Sequence, residues 1–200
     1  MQWGRRLAGP VVGFARDGRS RRRVPGRDRL VLRVRLEHGD GDVLGPARHR
    51  VPARRAARVP GWRLVLDKPG IVPVGHGFAN IVPDDAAAVL GVLYEIRTVE
   101  LDHLDLSEGV LIGNYRRVEV VAETLTSRAT KVGAQTFASD RRDVSLRPST
   151  RYLACLIAGA REHGLPAAYV EWLRAVPACE ESAETVAFRP LLDDALRRRR

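Results

Sequence analysis

Residues 91–115, GVLYEIRTVELDHLDLSEGVLIGNY, decide how the chain is read. An apolar run, Gly91 to Ile96, has the composition of a strand. Thr98–Leu104 reads as a short helix, with Thr98 as its cap and Leu101 and Leu104 on one face. A short acidic turn then leads to Glu108, which is followed at once by Gly109, and Gly113-Asn114-Tyr115 opens the next strand. A carboxylate beside a glycine, between two β-rich segments, suits a general base. The same residue in the same place suits a cap or a solvated charge, and spacing alone leaves both open.

The pattern continues on both sides. Upstream, V-P-G-W-R-L-V-L reads as a turn feeding a strand at 61–66, and D-K-P-G as a turn. G-F-A-N-I-V-P reads as a second short strand, and Asp84–Ala88 as a loop or a single helical turn. Downstream, Tyr115–Leu125 is a long strand, with Val118, Val120 and Ala122 alternating against Arg117, Glu119 and Val121. Gly133–Ala138 is another. Helices follow. Pro148-Ser149-Thr150 is a start signal, and Tyr152, Leu153, Leu156, Ile157 and Ala160 form an apolar stripe. Gly164 suits the residue after a helix end. Pro166 suits the first turn of a further helix, which carries Tyr169, Val170 and Leu173. Beyond Pro177 the chain is polar and ends in Arg197–Arg200, which reads as a frayed tail.

Charge divides the chain. The net charge is +10 over 200 residues. Residues 1–58 hold 16 Arg and 5 acidic residues, giving +11; residues 59–200 hold 18 Lys or Arg and 19 acidic residues, giving −1. The expected organisation is therefore an anomalous Arg-rich segment over 1–58, disordered or out of frame, a folded domain over 59–177 and a polar tail over 178–200. A nucleic-acid binder carries its basic residues on structured faces, so the near-neutral domain argues against that class of partner. The apolar runs are too short to span a bilayer, and the N-terminus lacks the apolar core of a signal peptide, so a cytoplasmic protein without a membrane partner is expected. Cys155 and Cys179 form no C-x-x-C pair, and no His/Cys cluster has zinc spacing, so neither a metal nor another cofactor is expected. His76 and His103 read as surface or loop histidines. Asp102 and Asp105 read as caps or solvated charges. The oligomeric state is not legible.

Taken in order, PGWRLVLDKPG, GFANIVPD, VLGVLYEI, LDLSEG, GNYRRVEV, a strand ending QTFAS, and PSTRYLACLIAGAREHGLPAAYVEWL resemble the gamma-glutamylcyclotransferase-like family from about Val59 to Pro177. The resemblance implies an α+β fold, a small mixed β-barrel with flanking helices. It also implies an intramolecular reaction on a small γ-glutamyl substrate. The free α-amine attacks the γ-carbonyl, releasing an amine or amino acid and leaving 5-oxoproline, as a lyase or acyltransferase of glutathione metabolism would do. The family's acid/base glutamate lies in a D-x-x-E-G stretch, which here is Asp105-Leu106-Ser107-Glu108-Gly109 and maps onto Glu108. Tyr115 and Tyr152 match family tyrosines beside the cavity; both also suit core aromatics. Asn80 sits in a strand that could line the barrel mouth.

One family element is missing. The family opens with a strand and a Tyr-Gly-Ser-Asn loop whose backbone N–H groups hold the substrate carboxylate. Residues 1–58 contain no such motif. The codons available to Val31–His38, read one nucleotide forward, permit Phe/Tyr-Phe/Tyr-Ala-Tyr-Gly/Ala-Ser-Asn-Met at the expected place. The chain has 32 Arg and 2 Lys, the mark of GC-rich coding DNA, whose out-of-frame reading favours Arg, Gly, Pro and Ala. A shifted frame over this segment is the expected cause, with a natural basic tail as the other reading. Two functions remain in view, the cyclotransferase and a catalytically defective barrel that binds a small molecule.

Overall fold

A computed structural model describes residues 29–33, 54–71, 74–183 and 185–187. Five strands form a closed barrel: β1 (Arg29–Arg33), β2 (Arg54–Pro69), β3 (Gly77–Ile96), β4 (Arg116–Thr124) and β5 (Lys131–Ala138), in the spatial order β1-β3-β2-β4-β5. All neighbours are antiparallel except the closing pair. β1 meets β5 in parallel at Val31 and Gln135. The mixed barrel with flanking helices is thus the expected α+β architecture.

β2 and β3 form a long hairpin whose register jumps between Pro60↔Ala88 and Trp62↔Pro83. The jump absorbs residues 84–87, most of the Asp84–Ala88 stretch read above as a loop or helical turn. These residues stay within β3, with Asp84 Oδ1 accepting the Ala86 N–H at 3.1 Å. Gly61 lies opposite at φ +80°, a left-handed backbone that favours glycine. Sequence pattern reads such a bulge as an interruption, because the strand's alternation stops while its extension continues. β4 keeps its alternation: Val120 and Ala122 are buried, while Arg117, Glu119 and Val121 face solvent.

The Arg-rich segment contributes to the barrel, which corrects a boundary at residue 58. β1 supplies a barrel strand within the segment that lacks the family's opening motif. Val31 and Leu32 are fully buried, as is Ala57 near the start of β2. Arg58 pairs with Glu123 across β2 and β4 at 2.7 Å. Residues 1–28 and 34–53 lie outside the described residues, and so does the expected position of the Tyr-Gly-Ser-Asn loop.

Helix α1 (Thr98–Ser107) packs Leu101 and Leu104 against Val31 and Ile96. Its cap is Arg97 rather than Thr98, and the Arg97 N–H donates to the Glu100 carboxylate at 2.8 Å. α2 (Thr150–Glu162) and α3 (Ala167–Arg174) close the main core. Leu153, Leu156, Ala160, Val170 and Leu173 pack with barrel residues such as Leu32, Val59 and Val92. Gly164 ends α2 at φ +66°. Among the described residues no helix is long and apolar enough to cross a membrane.

Ser149 caps α2, its hydroxyl oxygen accepting the Tyr152 N–H at 3.1 Å. Ser149→Ala is expected to cost about 1 kcal/mol in a urea unfolding titration. The polar segment after Pro177 is docked at its start, not frayed. The Cys179 N–H donates to the Pro148 carbonyl at 3.0 Å, and the Thr150 N–H donates to the Cys179 carbonyl at 2.9 Å. Residues 188–200, with the terminal arginines, lie outside the described residues.

Candidate active site

Glu108 stands where α1 stops. Its N–H donates to the Leu104 carbonyl at 2.8 Å, and Gly109 then turns left-handed at φ +67°. Only glycine fits there. A Cβ on Gly109 would lie 2.9 Å from Asn114 Cβ and 3.2 Å from Ile112 Cγ1. A single 3₁₀ turn, Val110–Ile112, brings the chain back, and the Asn114 N–H donates to the Gly109 carbonyl at 3.0 Å. The D-x-x-E-G stretch is therefore the end of α1, and the closed turn from Gly109 to Asn114 that follows it leaves Glu108 with 9% of its surface exposed.

Other elements bring their polar side chains to this end of the barrel. Lys68, near the end of β2, is 2% exposed. Its ammonium donates to Asn114 Oδ1 and lies 4.5 Å from the centroid of the Tyr115 ring, a cation–π contact. Asn114 Nδ2 donates to the Glu108 carbonyl at 3.0 Å. Asn80, early in β3, exchanges two bonds with Ser139: its Nδ2 donates to the Ser139 carbonyl at 2.9 Å, and the Ser139 N–H donates to its Oδ1 at 2.8 Å. The Ser139 hydroxyl donates to the Asn114 carbonyl at 2.7 Å. Buried polar groups are costly unless satisfied, so a connected web of this kind fixes the geometry of every element that enters it.

The two tyrosines meet on one peptide unit. The Tyr115 hydroxyl donates to the Ala79 carbonyl at 2.7 Å, and the Ala79 N–H donates to the Tyr152 hydroxyl at 3.2 Å. The Phe78 ring packs on Tyr152 with centroids 5.0 Å apart. Tyr115 and Tyr152 therefore tie β4 and α2 to the start of β3, beside Asn80. The hydrogen bonds from Asn114 then link this β3 start, through Ser139, to the turn that carries Glu108.

Lys68, Asn114 and Ser139 were not singled out from the sequence. Ser139 and Asn114 sit in segments that read as a strand end and a turn. Lys68 had one legible signal: it is one of 2 lysines in a chain with 32 arginines. Its ammonium is a compact point charge on a flexible stem, unlike the broad planar fork of a guanidinium.

Other sequence readings need correction. His76 is no surface histidine. It is 5% exposed, with Nδ1 3.4 Å from Cys179 Sγ, because the docked segment at Cys179 covers it. Asp105 is ion-paired rather than solvated: its Oδ2 accepts from Arg117 at 2.7 Å, and Oδ1 is buried without a hydrogen-bond partner among the described residues. His103 and Asp102 are exposed, in keeping with their reading.

The chain is thus a small α+β protein, a five-stranded barrel closed by one parallel pair with a buried glutamate before a glycine turn at one end. Residues 88–173 match the model of the AIG2-like family. The human gamma-glutamylcyclotransferase is 31% identical over 100 residues, which are 50% of this chain and 52% of that protein. The bovine gamma-glutamylcyclotransferase is 29% identical over the same length. The chain spans about half the length of the curated relatives it matches. A solved gamma-glutamyl cyclotransferase superposes with a TM-score of 0.67 at 22% identity, covering 86% of this chain and 99% of that one. A Bacillus subtilis protein, YkqA, gives a TM-score of 0.59 at 20% identity over 77% of this chain and 57% of its own. Over residues 88–173 the chain is thus similar to the AIG2-like family, and its fold is similar to that of a gamma-glutamyl cyclotransferase.

Proposed function

We propose that the chain is built for intramolecular aminolysis of a γ-glutamyl amide, with Glu108 as the acid/base residue. One observation carries this reading. The glutamate of the D-x-x-E-G stretch is nearly buried, capped by a glycine turn and tied into the polar web at the barrel end. The reaction asks little else of a protein. The nucleophile and the carbonyl share one substrate, so proximity is largely built in. Glu108 takes a proton from the α-ammonium. The freed amine adds to the γ-carbonyl carbon, the C–N bond to the leaving group breaks, and the new lactam nitrogen releases its remaining extra proton to solvent. The same carboxyl then returns the proton to the departing nitrogen. The products are 5-oxoproline and an amine or amino acid. Tyr115 and Tyr152 border this site in the proposal, a reading supported by their shared bonds to Ala79. A small γ-glutamyl compound is the partner, and neither a cofactor nor nucleic acid enters the reaction.

A second reading is favoured by one feature, the absence of Tyr-Gly-Ser-Asn from residues 1–58. Without that loop the barrel could bind a small molecule and turn it over slowly. One variant separates the readings. Replacing residues 34–38 by Tyr-Gly-Ser-Asn-Met leaves β1 untouched and supplies the motif that the shifted frame permits. A hydrogen bond to a charged group contributes about 1.5–3 kcal/mol, so recovery of one carboxylate contact should raise kcat/KM for 5-oxoproline release by roughly 10–100-fold. Equal, unmeasurable turnover by both chains, with ligand binding retained, would favour the binding protein.

A further inference from the structure

We infer that Asn114 is the positioning residue of Glu108, an inference that rests on the reading of Glu108 as the acid/base group. Asn114 is 9% exposed and uses all of its polar groups. Oδ1 accepts from the Lys68 ammonium, and Nδ2 donates to the Glu108 carbonyl at 3.0 Å. The main-chain N–H donates to the Gly109 carbonyl at 3.0 Å, and the main-chain carbonyl accepts from the Ser139 hydroxyl at 2.7 Å. The orientation of the amide is dictated by its neighbours. An ammonium only donates and a carbonyl only accepts, so the oxygen must face Lys68 and the nitrogen must face Glu108.

This arrangement grips Glu108 from both sides. Its N–H belongs to the last turn of α1, and its C=O is held by Asn114. Asn114 is in turn anchored to β2 through Lys68 and to the end of β5 through Ser139. The α1 end thereby keeps a fixed position relative to the barrel, although no strand pairing reaches it. A general base works only when its carboxylate is held at hydrogen-bonding distance from the proton it takes, and a displacement of about 1 Å can cost roughly 100-fold.

Asn114→Asp isolates the role. It keeps the size of the side chain and the oxygen that faces Lys68, and beside that ammonium the new carboxylate stays ionised. It replaces the donating NH2 group by an oxygen aimed at the Glu108 carbonyl, so the grip is lost and a repulsion takes its place. Two readouts test it. The first is hydrogen exchange of the full chain, followed by mass spectrometry. The segment 108–114 should exchange at least about 10-fold faster, while β4 and β5 keep their protection. The second is the kinetics of 5-oxoproline release in the chain carrying Tyr-Gly-Ser-Asn-Met at 34–38. There kcat should fall about 100-fold while KM stays within about three-fold. Asn114→Ala, which removes both side-chain bonds without adding charge, should give the same pattern and serves if the Asp variant fails to fold. Unchanged exchange in the segment would overturn the inference. So would a rise in KM at constant kcat, which would make Asn114 a substrate contact. Faster exchange with no turnover by any chain would support the grip on the turn and remove the reading of the reaction.

Discussion

Glu108→Gln, made in the chain carrying Tyr-Gly-Ser-Asn-Met at 34–38, lowers the rate of 5-oxoproline release by about 10²–10⁴-fold, the usual cost of losing a general base. The substitution is nearly isosteric. The backbone bonds of residue 108, from its N–H to Leu104 and from Asn114 Nδ2 to its carbonyl, do not involve the side chain and survive. What disappears is the ability to accept the proton of the α-ammonium and to return it to the leaving nitrogen. The loss falls on kcat and kcat/KM together, because the group acts on the transition state rather than on ground-state binding. Steady-state kinetics alongside circular dichroism checks it. A Gln variant with full activity and a native spectrum would remove Glu108 from the mechanism.

Gly77→Ala destabilises the barrel by about 3 kcal/mol or more, at the upper end of overpacking costs, because the neighbour it meets is backbone. A Cβ at residue 77 would stand 2.1 Å from the carbonyl oxygen of Leu66 and 3.0 Å from its carbon. β2 cannot retreat cheaply. Gly77 pairs with Pro69, its N–H donates to the Arg147 carbonyl at 2.9 Å, and the register already shifts between Val65 and Lys68. Relief of the clash pushes apart the β2 and β3 ends that deliver Lys68, Ala79 and Asn80 to the site. For a domain of this size the loss corresponds to a fall in Tm of roughly 10 °C. Gly133→Ala is the control. No atom lies within 4 Å of the Cβ it adds, so the change should be neutral or stabilising by a few tenths of a kcal/mol. Thermal unfolding of the two variants side by side measures the difference, and equal Tm values would contradict the packing described around Gly77.

The helices and β4 were legible because local chemistry and tertiary packing agree there. Ser149 caps α2, Gly164 ends it, and the stripe of Leu153, Leu156 and Ala160 is the face that packs. β1 was not legible. Five residues inside an Arg-rich stretch carry no pattern of their own, and they become a strand by pairing with Val92–Ile96 of β3 and with Gln135 of β5. The unbroken β3 was missed for a related reason. Asp84-Asp85 has the composition of a turn, and only the partner strand with its Gly61 bulge keeps the residues extended. At the site, Glu108, Tyr115 and Tyr152 were named from the resemblance, and the polar web connects all three. Lys68 and Asn114 became visible only when β2 and the turn after α1 were brought together, since their partners lie 46 residues apart in the chain. His76 is the loop histidine its flanking glycines suggest, but its burial was not legible, because Cys179, which lies against it, is distant in sequence.

The central claim is that the γ-glutamyl group closes on itself rather than being cut by water. Its most direct test is product identification. The chain carrying Tyr-Gly-Ser-Asn-Met at 34–38 is incubated with γ-glutamyl amino-acid, peptide and amine conjugates, and the released acid is identified by mass spectrometry. Cyclisation gives 5-oxoproline in equal amount with the free amine or amino acid, and no glutamate, from at least one conjugate. Glutamate in place of 5-oxoproline, or no release from any conjugate by a folded protein, would contradict the account.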